Sequence, residues 1–180
     1  LSGDQEVVRH QRQQLRGRGR VWRPGVGEGR HGRRPQLGSH VEALQRPGRA
    51  LLDDLDYVGV LAVELFDVAG ELLANELAPR VHNSGHWTIE GAVTSQFENH
   101  LRAIMGLPLG ETRAVGHCAM VNFIGALPDR DRVLTLPGAH HHDYGKAPRQ
   151  GRKLGHCTIV ARTAAERDRT LRRLLRLVPR

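Results

Sequence analysis

The chain has 180 residues, 39% of them hydrophobic and 4% aromatic, so it is long enough for one domain or slightly more, with a core made of Leu, Val, Ala and Ile. It contains no apolar run of about eighteen residues, which argues against a membrane-spanning helix, and its basic N-terminal stretch leads into no apolar signal-peptide core. The formal charge of +8 invites a nucleic-acid reading, but that charge is unevenly placed.

Residues 1–49 form an Arg/Gly-rich segment. The run RHQRQQLRGRGRVWRPGVGEGRHGRRPQLGSH has almost no apolar periodicity and no lysine. It cannot bury enough apolar area to offset its ordering entropy, so a disordered state is expected. A nucleic-acid-binding tail, a solvated linker and an out-of-frame translation of GC-rich DNA all fit this composition. The out-of-frame reading best explains the contrast with the well-patterned residues from Ala50 onward. It predicts that another reading frame upstream of Ala50 encodes strand-like sequence.

From Ala50 the texture changes. ALLDDLDYVGVLAVELF opens as a short helical pattern and becomes a β-rich run over Val58 to Phe66. DVAG reads as a turn punctuated by Asp67 and Gly70, and ELLANELA as a second strand, together an antiparallel hairpin. The polar loop PRVHNSGHW comes next. Thr88 is placed to cap a helix that carries Val93, Phe97, Leu101 and Ile104 at helical spacing and ends at Gly106 and Pro108. CAMVNFIGAL predicts a strand, RVLTL and AHHHDYG two short strands, and RKLGHCTIVA another strand. The last helix is expected over Thr163 to Leu177, with Leu171, Leu174, Leu175 and Val178 as its apolar stripe. Cys118 and Cys157 have no metal-like spacing and read as small, reduced core residues in a cytoplasmic protein. The adjacent His140, His141 and His142 alternate across a strand, so they cannot easily share one metal ion.

Two carboxylates stand out in the hairpin. Glu64 lies between apolar neighbours, and Glu76 follows Asn75 near the end of the next strand. A carboxylate in an apolar strand is costly to bury unless paired or bound to a cation. Two of them on paired strands can converge on Mg²⁺, which takes one or two carboxylates plus phosphate oxygens. They can equally be exposed strand residues paired with arginines. The loop after them concentrates Arg80, His82, Asn83, Ser84 and His86. Arg80 offers a planar fork for a carboxylate, carbonate or phosphate, and the basic run KAPRQGRK can bind a phosphate.

The stretches YVGVLAVELF, NELAPRVHNSGHWTIEGAVTSQFENHLRAIMGLPLG and HDYGKAPRQGRKLGH resemble the C-terminal half of 5-(carboxyamino)imidazole ribonucleotide synthase, an ATP-grasp ligase of purine synthesis. The resemblance runs from about Leu51 to the C-terminus, and APRVHNSGHWT is its most specific motif. It implies an α+β fold. Residues 50–110 would be the C-terminal part of an ATP-grasp domain, with antiparallel strands plus a helix. Residues 111–180 would be a small β-rich C-terminal domain with a terminal helix. The implied reaction joins bicarbonate to aminoimidazole ribonucleotide with ATP as co-substrate, through carboxyphosphate.

The resemblance also implies site residues. Glu64 and Glu76 would hold Mg²⁺ or Mn²⁺, and Asn75 and Glu76 would contact ATP. Arg80, His82 and Asn83 would be the catalytic residues that hold bicarbonate or carboxyphosphate and the ribonucleotide. Lys146 and Arg152 would grip the ribonucleotide's phosphate. A homodimer is typical of the family, and neither a membrane nor a nucleic acid is an expected partner. The family's glycine-rich loop and ATP-binding lysine match nothing before Arg49, so the chain by itself is expected to be inactive. A basic Arg/Gly-rich nucleic-acid-binding protein is the competing function.

Overall fold

The computed structural model describes residues 52–68 and 71–179. The segment 1–49 and the hairpin tip at 69–70 lie outside the described residues, and so does Gly70 of the expected turn. The described residues divide into two compact units, one of 52–82 with 99–108, the other of 83–98 with 109–179.

In the first unit a single helical turn at 52–54 precedes a two-stranded antiparallel hairpin. Its strands are β1, Ala62–Val68, and β2, Glu71–Ala78. β1 begins later than the expected Val58, because residues 57–61 are occupied otherwise. The Val60 N–H donates to His100 Nδ1 at 3.1 Å, and the Tyr57 hydroxyl donates to the Val60 carbonyl at 3.3 Å. The register sets Glu64 opposite Glu76, and a bulge follows between Glu64 and Leu65. An extra residue at a bulge locally increases strand twist and re-aims the side chains beside it.

The expected helix from Thr88 is two helices. The first, α1, is a single turn at Thr88–Gly91, and the second, α2, is Gln96–Ile104. Ala92 leaves the helix in extended conformation and bridges to Ala114. Thr88 still caps, at a distance: its hydroxyl accepts the N–H of Gln96, the first residue of α2, at 2.9 Å. Ser95 adds the local cap by accepting the Glu98 N–H at 3.1 Å. The Ser-x-x-Glu spacing at 95–98 was the sequence signal for this second start. Val93, Leu101 and Ile104 of the expected stripe are exposed.

The second unit is built on a three-stranded antiparallel sheet of order β3-β5-β4. Its strands are β3, His117–Ile124, β4, Ala139–Asp143, and β5, Lys153–Ala161. Alternation along the strands sorts the side chains onto two faces. One face presents Ala119, Val121, Phe123, Cys157 and Ile159 to two helices. The first of these, α3 at Arg130–Leu134, replaces the expected RVLTL strand. Asp129 starts it by accepting the Arg132 N–H at 3.1 Å, and Val133 and Leu136 then enter the core. The second, α4, is Ala164–Leu177, capped by the Thr163 hydroxyl. Its Leu171 and Leu174 are buried in this core, with Leu175 and Val178 packed at its margin. The opposite face of the sheet packs Cys118 and Met120 against Trp87, Ala92 and Ala114. The middle of β3 is therefore covered on both faces, which explains why it reads as a nearly continuous apolar run.

Candidate functional site

The first unit brings four of the expected site residues together. Glu64, Glu76 and His82 each offer a ligand atom, and these atoms all lie within 4.8 Å of one another. The hairpin register accounts for the two carboxylates, since directly opposed residues share a face. Arg80 and His82 come to Glu76 because the chain bends just after β2. The Arg80 N–H donates to the Ala78 carbonyl at 2.8 Å across Pro79. Arg80 Nη2 then donates to Glu76 Oε1 at 3.3 Å, and His82 Nε2 lies 3.7 Å from Glu76 Oε2. His82 is buried, whereas Glu76 and Arg80 are exposed. An exposed Arg–carboxylate pair contributes little to stability, about 0–1 kcal/mol. That pair alone therefore holds the cluster together only weakly.

The donor set suits a hard divalent cation. Two carboxylates supply the oxygen ligands that Mg²⁺ favours, and phosphate oxygens of a nucleotide would complete the shell. The imidazole of His82 is a softer donor, and its distance to Glu76 Oε2 fits it to orienting that carboxylate. Asn75 is exposed on β2, one residue from Glu76, so the two side chains start from opposite faces of the strand.

Asn83 opens a short 3₁₀ turn, Asn83–Gly85, in the second unit. Its carbonyl accepts the His86 N–H at 3.1 Å, and its side-chain Oδ1 is buried. Lys146 and Arg152 lie on the exposed connection between β4 and β5. Arg152 Nη1 donates to the Ala147 carbonyl at 3.3 Å, and the Arg152 N–H donates to the Arg149 carbonyl at 3.0 Å, so the loop closes on itself. Lys146 Nζ sits 5.3 Å from the centroid of the Tyr144 ring.

A second group of polar residues escaped the sequence reading. On the face of the sheet opposite the apolar core, His142 and Asn122 flank His156 in one cross-strand row. The His142 and His156 rings stack at 4.3 Å with 8° between their planes. His142 Nε2 lies 2.6 Å from Glu90 Oε1, and the Tyr144 hydroxyl lies 2.7 Å from His156 Nδ1. His86 packs near this row, 5.6 Å from His156 between ring centroids. Burial holds the His156 imidazole down at about 3, helped by the neighbouring His142, His86, Lys153 and His141. The available signal was the His142-x-Tyr144 spacing, which puts both side chains on one face. The middle histidine of the triplet goes the other way: His141 meets Phe123 at 5.3 Å between centroids, and burial lowers its basicity.

Neither cysteine belongs to a reactive site. Burial pushes the Cys157 thiol up to about 12 and raises Cys118 as well, and thiols in that state are poor nucleophiles. No described helix is long and apolar enough to cross a membrane.

Comparison with known proteins matches both parts of the chain. Residues 35–97 match the ATP-grasp domain, a match that begins ahead of Ala50, and residues 118–170 match the phosphoribosylaminoimidazole carboxylase C-terminal domain. The N5-carboxyaminoimidazole ribonucleotide synthase of Pseudomonas aeruginosa is 64% identical over 127 residues, covering 66% of this chain and 35% of that protein. The enzyme of the same name from Mycobacterium tuberculosis is 50% identical over 135 residues, covering 69% and 32%. The crystal structure of N5-carboxyaminoimidazole ribonucleotide synthetase from Thermus thermophilus superposes with a TM-score of 0.70 at 58% identity, covering 77% of this chain and 40% of that one. The Aspergillus clavatus enzyme, solved with ADP and 5-aminoimidazole ribonucleotide, gives a TM-score of 0.71 at 36% identity, over 82% and 42%.

The acidic hairpin and the sheet-and-helix unit after it are thus an ATP-grasp segment followed by a phosphoribosylaminoimidazole carboxylase C-terminal domain. Within that class, the chain is similar to the N5-carboxyaminoimidazole ribonucleotide synthases over the part it shares with them. It spans about a third of the length of the curated relatives it matches.

Proposed function

We propose that this chain serves the ATP-dependent carboxylation of 5-aminoimidazole ribonucleotide by bicarbonate, in cytoplasmic de novo purine synthesis. The observation that carries this reading is the convergence of Glu64, Glu76 and His82 with Arg80 on one end of the hairpin. Glu64 and Glu76 bind Mg²⁺ (or Mn²⁺), and Asn75 and Glu76 contact the nucleotide. When bound, the metal neutralises phosphate charge during transfer. Arg80, His82 and Asn83 hold bicarbonate and its phosphorylated form. A bicarbonate oxygen attacks the γ-phosphorus and ADP leaves, giving carboxyphosphate. The ribonucleotide's amine then attacks the carboxyl carbon, phosphate leaves, and the amine gives up a proton. The task of these residues is to position and to neutralise oxyanions, which Arg and Lys do without any strong base. Lys146 and Arg152 bind the phosphate of the ribonucleotide.

In chain order, residues 50–110 are the ATP-grasp part and 111–180 the C-terminal domain. A homodimer is the expected assembly of the whole enzyme. The 180-residue chain alone is expected to show negligible bicarbonate-dependent ATP turnover. Mn²⁺ binding, read by electron paramagnetic resonance with and without ADP, tests the hairpin directly. Glu64→Gln and Glu76→Gln are each expected to weaken it about tenfold or more, since each removes a charged ligand. Unchanged affinity in both variants would remove the metal site, and measurable bicarbonate-dependent ATP turnover would overturn the expected inactivity.

A further inference from the structure

Beyond the sheet, the buried His156 is linked through Tyr144 to the exposed Lys146. β4 stops at Asp143, and Gly145, with φ of +64°, turns the chain out of the sheet. The turn is held at two points: the Tyr144 N–H donates to the Leu154 carbonyl at 2.9 Å, and the Gly145 N–H donates to Asp143 Oδ1 at 2.8 Å. Beyond it the Lys146 side chain is exposed and has four rotatable bonds, so its ammonium is free to wander unless something fixes it. The Tyr144 ring does so by offering its face to Nζ at 5.3 Å. That ring is in turn fixed from below, because its hydroxyl is bonded at 2.7 Å to Nδ1 of His156, which is 1% exposed. The His156 ring is clamped by its stack on His142, and His142 is tied to Glu90 at 2.6 Å.

We infer that Tyr144 and His156 are positioning residues for Lys146: the buried His156–Tyr144 hydrogen bond aims the phenol face that holds the ammonium ready for the ribonucleotide's phosphate. This rests on the reading of Lys146 as a phosphate ligand. The chemistry recognised is a phosphate monoester on a sugar. Preorganising one cation lowers the ordering cost of binding without adding any contact.

The test measures binding of ribose 5-phosphate to the chain by NMR titration, following the Lys146 ε-methylene and neighbouring amides. In the unliganded chain the ε-methylene is expected to show an upfield ring-current shift. Tyr144→Phe keeps the ring and removes the hydrogen bond. It is expected to reduce that shift and to weaken binding about two- to fivefold, the range of an exposed cation–π contact. His156→Gln is expected to do the same, and the double variant to be no worse than either single one, because both act through one bond. Val133→Ala, a core change elsewhere in the unit, is expected to lower stability and leave both readouts unmoved. Two failures are distinguishable. If the chain does not bind ribose 5-phosphate, or if Lys146→Ala binds it equally well, the phosphate reading falls and the positioning role with it. If Lys146→Ala abolishes binding while Tyr144→Phe changes neither shift nor affinity, the positioning role alone is refuted.

Discussion

The imidazole of His156 makes folding of the second unit depend on pH in a direction the structure dictates. It is buried beside His142 and His86, and it is held at about 3 against an ordinary value of 6.5. Its folded value lies below its unfolded one, so at mildly acid pH the unfolded chain takes up a proton that the folded chain refuses. This contribution to stability is complete above the unfolded value and is lost as the pH falls from there toward the folded value. Between pH 8 and pH 5 the loss amounts to about 2 kcal/mol, and by pH 4 to about 3 kcal/mol. His141, lowered by burial, adds to the loss with the same sign. Urea denaturation of the chain at pH 8, 7, 6 and 5 measures the slope, and His156→Gln is expected to flatten it, whatever its own stability at pH 8. NMR titration of the ring gives an independent check, with no His156 transition expected between pH 8 and 5. Parallel stability curves for the two proteins, or a His156 ring titrating near its ordinary value, would refute the reasoning.

The remaining expectations concern the scaffold. Phe123 of β3 is wholly buried in the core, so Phe123→Ala should cost about 3–5 kcal/mol in chemical denaturation. Gly138 has φ of +68°, and a Cβ there would run into the Val160 carbonyl beside the 2.9 Å bond from the Val160 N–H to the Gly138 carbonyl. Gly138→Ala should therefore destabilise by about 1–3 kcal/mol in the same assay. Thr163→Ala removes the cap of α4 and should lower the melting temperature through a loss of about 1 kcal/mol.

Much of this protein was legible in its residue order. The hairpin, β3, β5 and the terminal helix follow from runs of apolar residues with the right period, and local periodicity survives whatever packs around it. Glu64 and Glu76 could be singled out because a carboxylate among apolar strand residues is costly unless something neutralises it. The loop from Arg80 to His86 could be singled out because its dense polar residues follow no apolar period. Other features were decided only in three dimensions. RVLTL has an alternating look, but Asp129 caps its start and its Val133 fits the helical layer above the sheet, so it coils. The helix expected from Thr88 breaks because Ala92 finds a strand-like partner in Ala114, twenty-two positions along the chain (114 − 92). Above all, the group of Glu90, His142, His156 and Tyr144 has only the His142-x-Tyr144 spacing to mark it in the sequence, since its members come from α1, from β4 and the residue after it, and from β5. Register between strands is set by which faces are buried and by the turns that join them, and only that register stacks His142 on His156 and turns scattered histidines into a support for Lys146.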